Sequence, residues 1–304
     1  MARRKNRAKE QKLQKALSLA IISVIAAILA VVLYYTAGAK PASPPATFAS
    51  DTKIHFIDVG QGDCVLIEQG GEFALIDAGL KQSDDVILDY LKAQNVQSLK
   101  YVIMSHPHAD HIGAMGAVVK KYEVQNMVLP QFEKYNYPTT ATFINLIKAV
   151  SDKKVPMQTA TVGMELPLGS GVIKIVGDGV AANDFNNISI STLFTGAGIT
   201  YLATGDAEKE AEAALAASGQ TLAADIFKAG HHGSDTSNTK ALLNKVLPKA
   251  VIISCGKDND YGHPHQSSLD TFNAIGADIY RTDQSGTMVA FVDEKGNMQI
   301  QKSK

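Results

Sequence analysis

Residues 105 to 113 read Ser-His-Pro-His-Ala-Asp-His-Ile-Gly, so His106, His108, Asp110 and His111 crowd three imidazoles and a carboxylate into one short stretch. Neutral imidazole and carboxylate are donors for zinc, manganese or iron, and a set without cysteine points to an open catalytic site rather than a closed structural zinc knot. The apolar run Tyr101-Val102-Ile103-Met104 just before it reads as a buried strand, and Pro107 bars regular helix immediately after. The donors are therefore expected on a loop at a strand end, where open α/β sheets keep their sites.

Four further polar islands follow apolar runs. They are Asp77 in Ile76-Asp77-Ala78-Gly79, Asp206 in Thr204-Gly205-Asp206, His231-His232-Gly233-Ser234 after Ile226-Phe227-Lys228, and Tyr261-Gly262-His263-Pro264-His265. One such island is weak evidence; five at strand ends argue for a single metal-dependent site.

The elements that must position them are legible from periodicity and turn residues. Strands are expected at 53–59, 64–68 and 72–76, joined by glycine turns, then a helix at 84–94 carrying Val86, Ile87, Tyr90 and Leu91 on one stripe, and the strand at 100–104. Helix 112–121, strand 124–129 and helix 140–151 complete a first half. Strands at 172–176, 188–195 and 199–203 open a second, followed by helix 207–217, strand 225–228, helix 238–246, strand 250–254, helix 267–275 and closing strands to residue 300. Strands first and βα units later, twice over, predict two similar layers packed face to face.

With these motifs in order, residues 53 to 295 resemble the metallo-β-lactamase superfamily, and within it the hydrolase domain of ComEC-type DNA-uptake proteins. The matching segments are His55-Phe56-Ile57-Asp58-Val59-Gly60-Gln61-Gly62-Asp63, His106 to His111, Thr204-Gly205-Asp206, His231-His232-Gly233-Ser234 and Tyr261-Gly262-His263-Pro264-His265. The resemblance implies an α/β fold, an αββα sandwich with one or two divalent metal ions, zinc or manganese, between the sheets. It implies that His106 and His108 hold a first ion, that Asp110 and His111 hold a second which His231 completes, and that Asp206 bridges the two. Asp77 then steadies the histidine loop, and Asp63, His232 and His265 stand behind the ligands or face the substrate. His263 is a ligand or a phosphate-facing proton donor, with Tyr261 and Lys257 as weaker anion holders. His55, inside a strand, is expected to be a satisfied core residue.

In one respect the chain departs from that pattern. Many members supply a third histidine to the first ion between the main motif and the bridging aspartate, yet residues 112 to 230 contain none. Asn187 and Ser189 resemble the Asn/Ser segment of ComEC-type domains and are candidates to line the site. Oxygen in place of nitrogen would move preference from zinc towards manganese.

The net charge of −1 over 304 residues hides an asymmetry. Residues 1–15 carry seven basic groups against Glu10, leaving 22 basic and 29 acidic groups in residues 16–304. No charged residue lies between Ala16 and Ala39, and about twenty helical residues span a bilayer's hydrocarbon core. The expected organisation is a basic cytoplasmic tail (1–15), a single transmembrane anchor (16–36), a Pro-rich linker (37–51) and the hydrolase domain (52–304). The basic residues keep the amino terminus inside and the domain outside. Ala37-Gly38-Ala39 allows the alternative of a cleaved signal peptide and a secreted domain. Cys64 and Cys255 stand in apolar, strand-like contexts and are expected as two buried thiols rather than a bridge.

The leading expectation is a membrane-anchored, metal-dependent phosphodiesterase or nuclease, with DNA as the substrate that the resemblance implies. The alternatives are a cell-envelope phosphodiesterase of teichoic-acid or choline-phosphate type, and a tethered scaffold without chemistry. The acidic exported part does not look like a nuclease's basic stripe, although Lys228, Lys240, Lys245, Lys249 and Lys257 could form a local patch.

Overall fold

Leu66 and Ile67 are neighbours in one strand, yet Leu66 packs with Ile87, Leu91 and Val118 of the flanking helices, and Ile67 with Phe194 and Tyr201 of a second sheet. Side chains alternate across a strand. A sheet apolar on both faces must therefore be covered on both. Leu202 and Phe227 show the same for the second sheet, packing outward against Leu242, Leu243 and Phe272.

The computed structural model describes residues 51–135, 137–180 and 184–304. The expected basic tail, membrane segment and nearly all of the linker lie outside these residues. Among the described residues, no helix is long and apolar enough to cross a membrane.

The strands are β1 (Thr52–Phe56), β2 (Val65–Gln69), β3 (Glu72–Ile76), β4 (Ser98–Leu99), β5 (Tyr101–Ile103), β6 (Glu123–Val124), β7 (Met127–Leu129), β8 (Met157–Thr159) and β9 (Glu165–Leu168). They continue with β10 (Gly171–Gly177), β11 (Ser191–Gly196), β12 (Ile199–Ala203), β13 (Ile226–Lys228), β14 (Ala250–Ile253), β15 (Asp278–Arg281), β16 (Met288–Val292) and β17 (Met298–Lys302). One sheet runs β17-β16-β1-β2-β3-β5-β7-β8 and the other β15-β14-β13-β12-β11-β10-β9, with β4 and β6 paired apart from both. Helices α1 (Asp84–Ala93), α2 (Ala109–Ile112), α3 (Met115–Lys121) and α4 (Ala141–Asp152) belong to the first half of the chain. Helices α5 (Lys209–Ala217), α6 (Lys240–Val246), α7 (Gln266–Ala274) and α8 (Thr282–Ser285) belong to the second. Helices on the outer faces of two stacked sheets make the expected αββα sandwich.

Topology decides where chemistry can sit. β3, β5 and β7 are parallel to one another, as are β12, β13 and β14. Asp77 follows β3, Ser105–His106 follow β5, Asp206 follows β12, His231–His232 follow β13 and Ser254 follows β14. Five polar islands thus leave carboxyl ends of parallel strands.

Candidate metal centre

Two glycines let these loops approach. At Gly62, with φ +130°, a Cβ would collide with the Asp110 carbonyl; its absence lets the Asp63 N–H donate to that carbonyl at 3.1 Å. At Gly205 (φ +54°) a Cβ would lie 2.9 Å from both Ser105 Cβ and Ser189 Oγ, so only glycine lets the loops after β5 and β12 meet there.

The loop expectation holds for His106 and His108. Asp110 and His111 instead stand on α2, whose first turn is closed by the N–H groups of His111 and Ile112 donating to the His108 carbonyl at 3.1 and 3.0 Å. Pro107 precedes the capping residue, so it costs that turn nothing.

The buried centre is built around His111 and His232. His111 Nδ1 donates to Asp77 Oδ2 at 2.8 Å, and the Ser105 N–H and hydroxyl hold the same carboxylate at 2.8 and 2.6 Å. His232 Nδ1 lies 3.0 Å from the Ser254 carbonyl, which can only accept, so this nitrogen carries the hydrogen. Both rings therefore turn Nε2 inward, and these two nitrogens are 3.3 Å apart. Asp206 Oδ1 lies 3.2 Å from His111 Nε2, and Asp110 Oδ2 lies 3.2 Å from His232 Nε2. Donors about 2.1 Å from one tetrahedral ion stand roughly 3.4 Å from each other. Buried Asp206 Oδ1 makes no hydrogen bond. The two ring nitrogens and the Asp206 carboxylate converge at this spacing, with Asp110 beside His232 Nε2, and fit a divalent cation.

Asp63 also brings a donor within 4.8 Å of His111, Asp206 and His232. Its Oδ1, however, lies 3.1 Å from His232 Nδ1, the nitrogen turned outward, and its Oδ2 pairs with Lys228 Nζ at 2.7 Å. Asp63 braces the centre from behind.

A second convergence adjoins the first. His106 Nε2 is 3.1 Å from His108 Nδ1 and 3.7 Å from Asp206 Oδ2, so the Asp206 carboxylate faces both groups. Burial holds His106 well below the ordinary imidazole range and lowers His108, leaving neutral rings suited to ligation. Burial likewise favours neutral His111 and His232, but Asp206 with Asp77 in the first case and with Asp63 in the second outweighs it and pushes both well up. Burial works against ionising Asp206 and Asp110 too, yet His111 and His232 drive both carboxyls below their usual range. The centre holds positive charge, as protons or as metal.

His232, rather than His231, brings its ring nitrogen to the Asp110–His111 group. Both have left-handed φ, +49° and +55°, a conformation costly outside glycine, and together they turn the second ring inward to the Asp110–His111 group. His231 Nε2 instead lies 3.7 Å from Asp206 Oδ2. Asn187 and Ser189 do not reach the donor groups: the Asp206 N–H donates to Ser189 Oγ at 3.1 Å and the Glu208 N–H to Asn187 Oδ1 at 2.9 Å, so they fix the turn that presents Asp206.

His263 is buried beside a cleft of about 620 Å³ that His108, Asp110, Asp206, His231, His232 and exposed Tyr261 also line. Its Nδ1 has no partner, and burial with the neighbouring His232, His231 and His265 lowers it to about 4. His265 accepts from the Asp235 N–H at 3.0 Å and occupies the residue before α7. His55 is a core residue bonded to Tyr90 Oη at 2.9 Å. Cys64 and Cys255 are free and buried.

Two of the lysines considered for a local patch do not face the site. Lys228 is buried behind the centre, and Lys249 pairs with Asp225 at 2.8 Å ahead of β13, at the opposite strand end from the site. No motif marks Glu208 and Thr236 as partners of His231, and the one signal for Lys228 is a lysine inside an otherwise apolar strand.

The family model of the metallo-beta-lactamase superfamily matches residues 57–257. The chain belongs to that superfamily. It is 27% identical over 259 residues to "ComE operon protein 3" of Bacillus subtilis (strain 168), covering 79% of this chain and 33% of that protein. It is 28% identical over 261 residues to "Recombination protein 2" of Haemophilus influenzae, covering 83% and 30%, and 28% identical over 247 residues to "Competence protein ComA" of Neisseria gonorrhoeae, covering 81% and 33%. The chain thus spans about a third of the length of these competence-type relatives. Among solved structures, the metallo-beta-lactamase fold protein YhfI from Bacillus subtilis aligns with TM-score 0.53 at 14% identity, over 79% of this chain and 100% of that one. Igni18, a metallo hydrolase from Ignicoccus hospitalis, aligns with TM-score 0.51 at 14% identity, over 78% and 98%. These two likenesses concern the superfamily fold alone.

Proposed function

We propose that this superfamily member is a metal-dependent phosphodiesterase acting on DNA, held at the outer face of a membrane by residues 16–36. The observation that carries the hydrolytic reading is the pair of inward Nε2 atoms, 3.3 Å apart, beside two carboxylates and an open cleft. His106, His108 and Asp206 would hold one divalent ion, and Asp110, His111, Asp206 and His232 another. Such ions supply Lewis-acid polarisation of a phosphoryl oxygen and activation of water. The chain's own residues do the positioning. Asp77 and the Ser254 carbonyl fix the two inward rings, and Ser189 and Asn187 hold the Asp206 turn. His263, held down to about 4 by burial and the neighbouring His232, His231 and His265, faces the cleft with a ring able to hydrogen-bond there. The likeness to a recombination protein and a competence protein supports DNA as substrate.

One observation favours the second reading, an envelope phosphodiester of choline-phosphate type. Among the described residues, the cleft is lined by Asp258 and Asp260 as well as the metal-facing carboxylates, and by no lysine or arginine. That rim suits a substrate carrying its own positive charge better than a polyanion. The test is hydrolysis by the purified full-length chain of single-stranded DNA and, separately, of a choline-phosphate ester, each with zinc or manganese and with Asp110→Ala as background. Metal-dependent DNA cleavage lost in the variant supports the nuclease. Cleavage of the choline ester alone moves the assignment to the envelope, and no difference between wild type and Asp110→Ala on either substrate rejects both.

A further inference from the structure

The first donor group is short of a ligand. His106, His108 and Asp206 supply two nitrogens and an oxygen, and residues 112 to 230 contain no histidine to add a third ring. His231 shares the Asp206 carboxylate with His106. Its Nε2 lies 3.7 Å from Asp206 Oδ2, the same oxygen that lies 3.7 Å from His106 Nε2. Its side chain is 22% exposed, on the cleft wall.

The other nitrogen of the ring is already engaged. His231 Nδ1 lies 3.1 Å from Thr236 Oγ1 and 3.5 Å from Glu208 Oε1. Metal-ligating histidines characteristically give their second N–H to such a partner, which fixes the tautomer and aims the free lone pair. Glu208 is itself held: its N–H donates to Asn187 Oδ1 at 2.9 Å, and Asn186 Nδ2 donates to its Oε1 at 3.3 Å. A chain of support thus runs from the Asn186–Asn187 turn through Glu208 to His231. The left-handed backbone of two successive residues is explained if each ring serves a different ion, since it turns His232 to one donor group and His231 to the other.

We infer that His231 is the third nitrogen donor of the first ion, replacing the histidine that residues 112 to 230 lack. The first site is then three nitrogens and a carboxylate oxygen, a set that suits zinc, rather than the oxygen-rich, manganese-preferring site expected from the missing histidine. Glu208 and Thr236 are positioning residues that act through the ring.

This rests on the two-ion reading above, and the test separates the two. Full-length protein stripped by chelator is titrated with zinc and with cobalt; bound metal is counted by mass spectrometry after equilibrium dialysis, and the cobalt visible spectrum reports nitrogen donors. Wild type is expected to take two ions. His231→Ala should keep one and weaken the other ~100-fold or more, while Glu208→Gln weakens that same ion ~10–100-fold. Unchanged circular dichroism and thermal melting of the metal-free variants establishes that the loss is local. Two ions at wild-type affinity in His231→Ala overturn the inference alone. A wild type that takes only one ion overturns the two-ion reading, and the inference with it.

Discussion

Replacing Lys228 with methionine should cost this domain a large part of its stability. Lys228 and Asp63 are 1% and 4% exposed, paired at 2.7 Å, and Lys228 also donates to the Ala229 carbonyl at 2.7 Å. Burial alone would raise the Asp63 carboxyl, but Lys228 and then His232 outweigh it and hold it at about 2, against an ordinary 3.8. A separation of roughly two units corresponds to about 2–3 kcal/mol. The folded value is depressed, so this contribution is present above pH 3.8 and is lost as pH falls from there towards 2. Methionine fills the volume and removes the charge, leaving Asp63 buried with one partner fewer; breaking a buried pair in this way costs about 3–5 kcal/mol. At roughly 2–4 °C per kcal/mol for a domain of this size, the melting temperature should fall by about 6–20 °C. Urea unfolding of the metal-free protein at pH 7 measures the loss without ligand linkage. Lys228→Met/Asp63→Asn should recover a large part of it, because the uncompensated charge is gone. A single variant within ~1 kcal/mol of wild type would show that the pair does not brace the centre as argued.

Asp77→Asn should lower metal affinity ~10–100-fold with little change in fold, since it loosens the His111 ring without removing a ligand; unchanged affinity by dialysis would reject that role. Metal affinity should rise with pH through neutrality. The carboxylates push His111 and His232 up, so metal-free protein holds protons there that an ion must displace. Calorimetric titration in buffers of different ionisation enthalpy should show that release, and a buffer-independent enthalpy would contradict it. Burial pushes the Cys255 thiol to about 12, helped by Asp283, and the Cys64 thiol well above its ordinary range. Iodoacetamide at pH 8 should therefore label neither until urea unfolds the protein, and prompt labelling of native protein would rule this out.

The sandwich was legible because its strands announce themselves. Val65 to Gln69 and Glu72 to Ile76 form as the glycine turns suggest, and the donor islands fall after parallel strands. What the sequence concealed lies in orientation. No pattern of residue types says which of two adjacent histidines faces inward; that follows from two left-handed φ values. A lysine in Ile226-Phe227-Lys228 reads as a strand's exposed end until Asp63, distant in sequence, is seen beneath it. The strand expected from residue 188 starts at Ser191 because Asn186–Ile188 form a tight turn that supports Asp206 and Glu208. Asn187 and Ser189 stand out as residue types, but their partners are backbone N–H groups, to which a motif is blind.

The first strand and the last two are neighbours. β1 pairs with β16, which pairs with β17, so the described fold starts and finishes within three adjacent strands of one sheet. Chain ends gathered at one edge of a domain make it easy to transplant, since a host polypeptide can run in and out of the same edge without threading the sandwich or opening its cores. The two outer helical layers and both donor groups lie between these strands in sequence and would travel as one cassette. A metal centre packaged in this way can be fixed to a tether, fused to a binding module or set inside a much larger protein with its chemistry unchanged. Where such a domain works is thus a matter of its attachments, and evolution can alter those without touching a ligand.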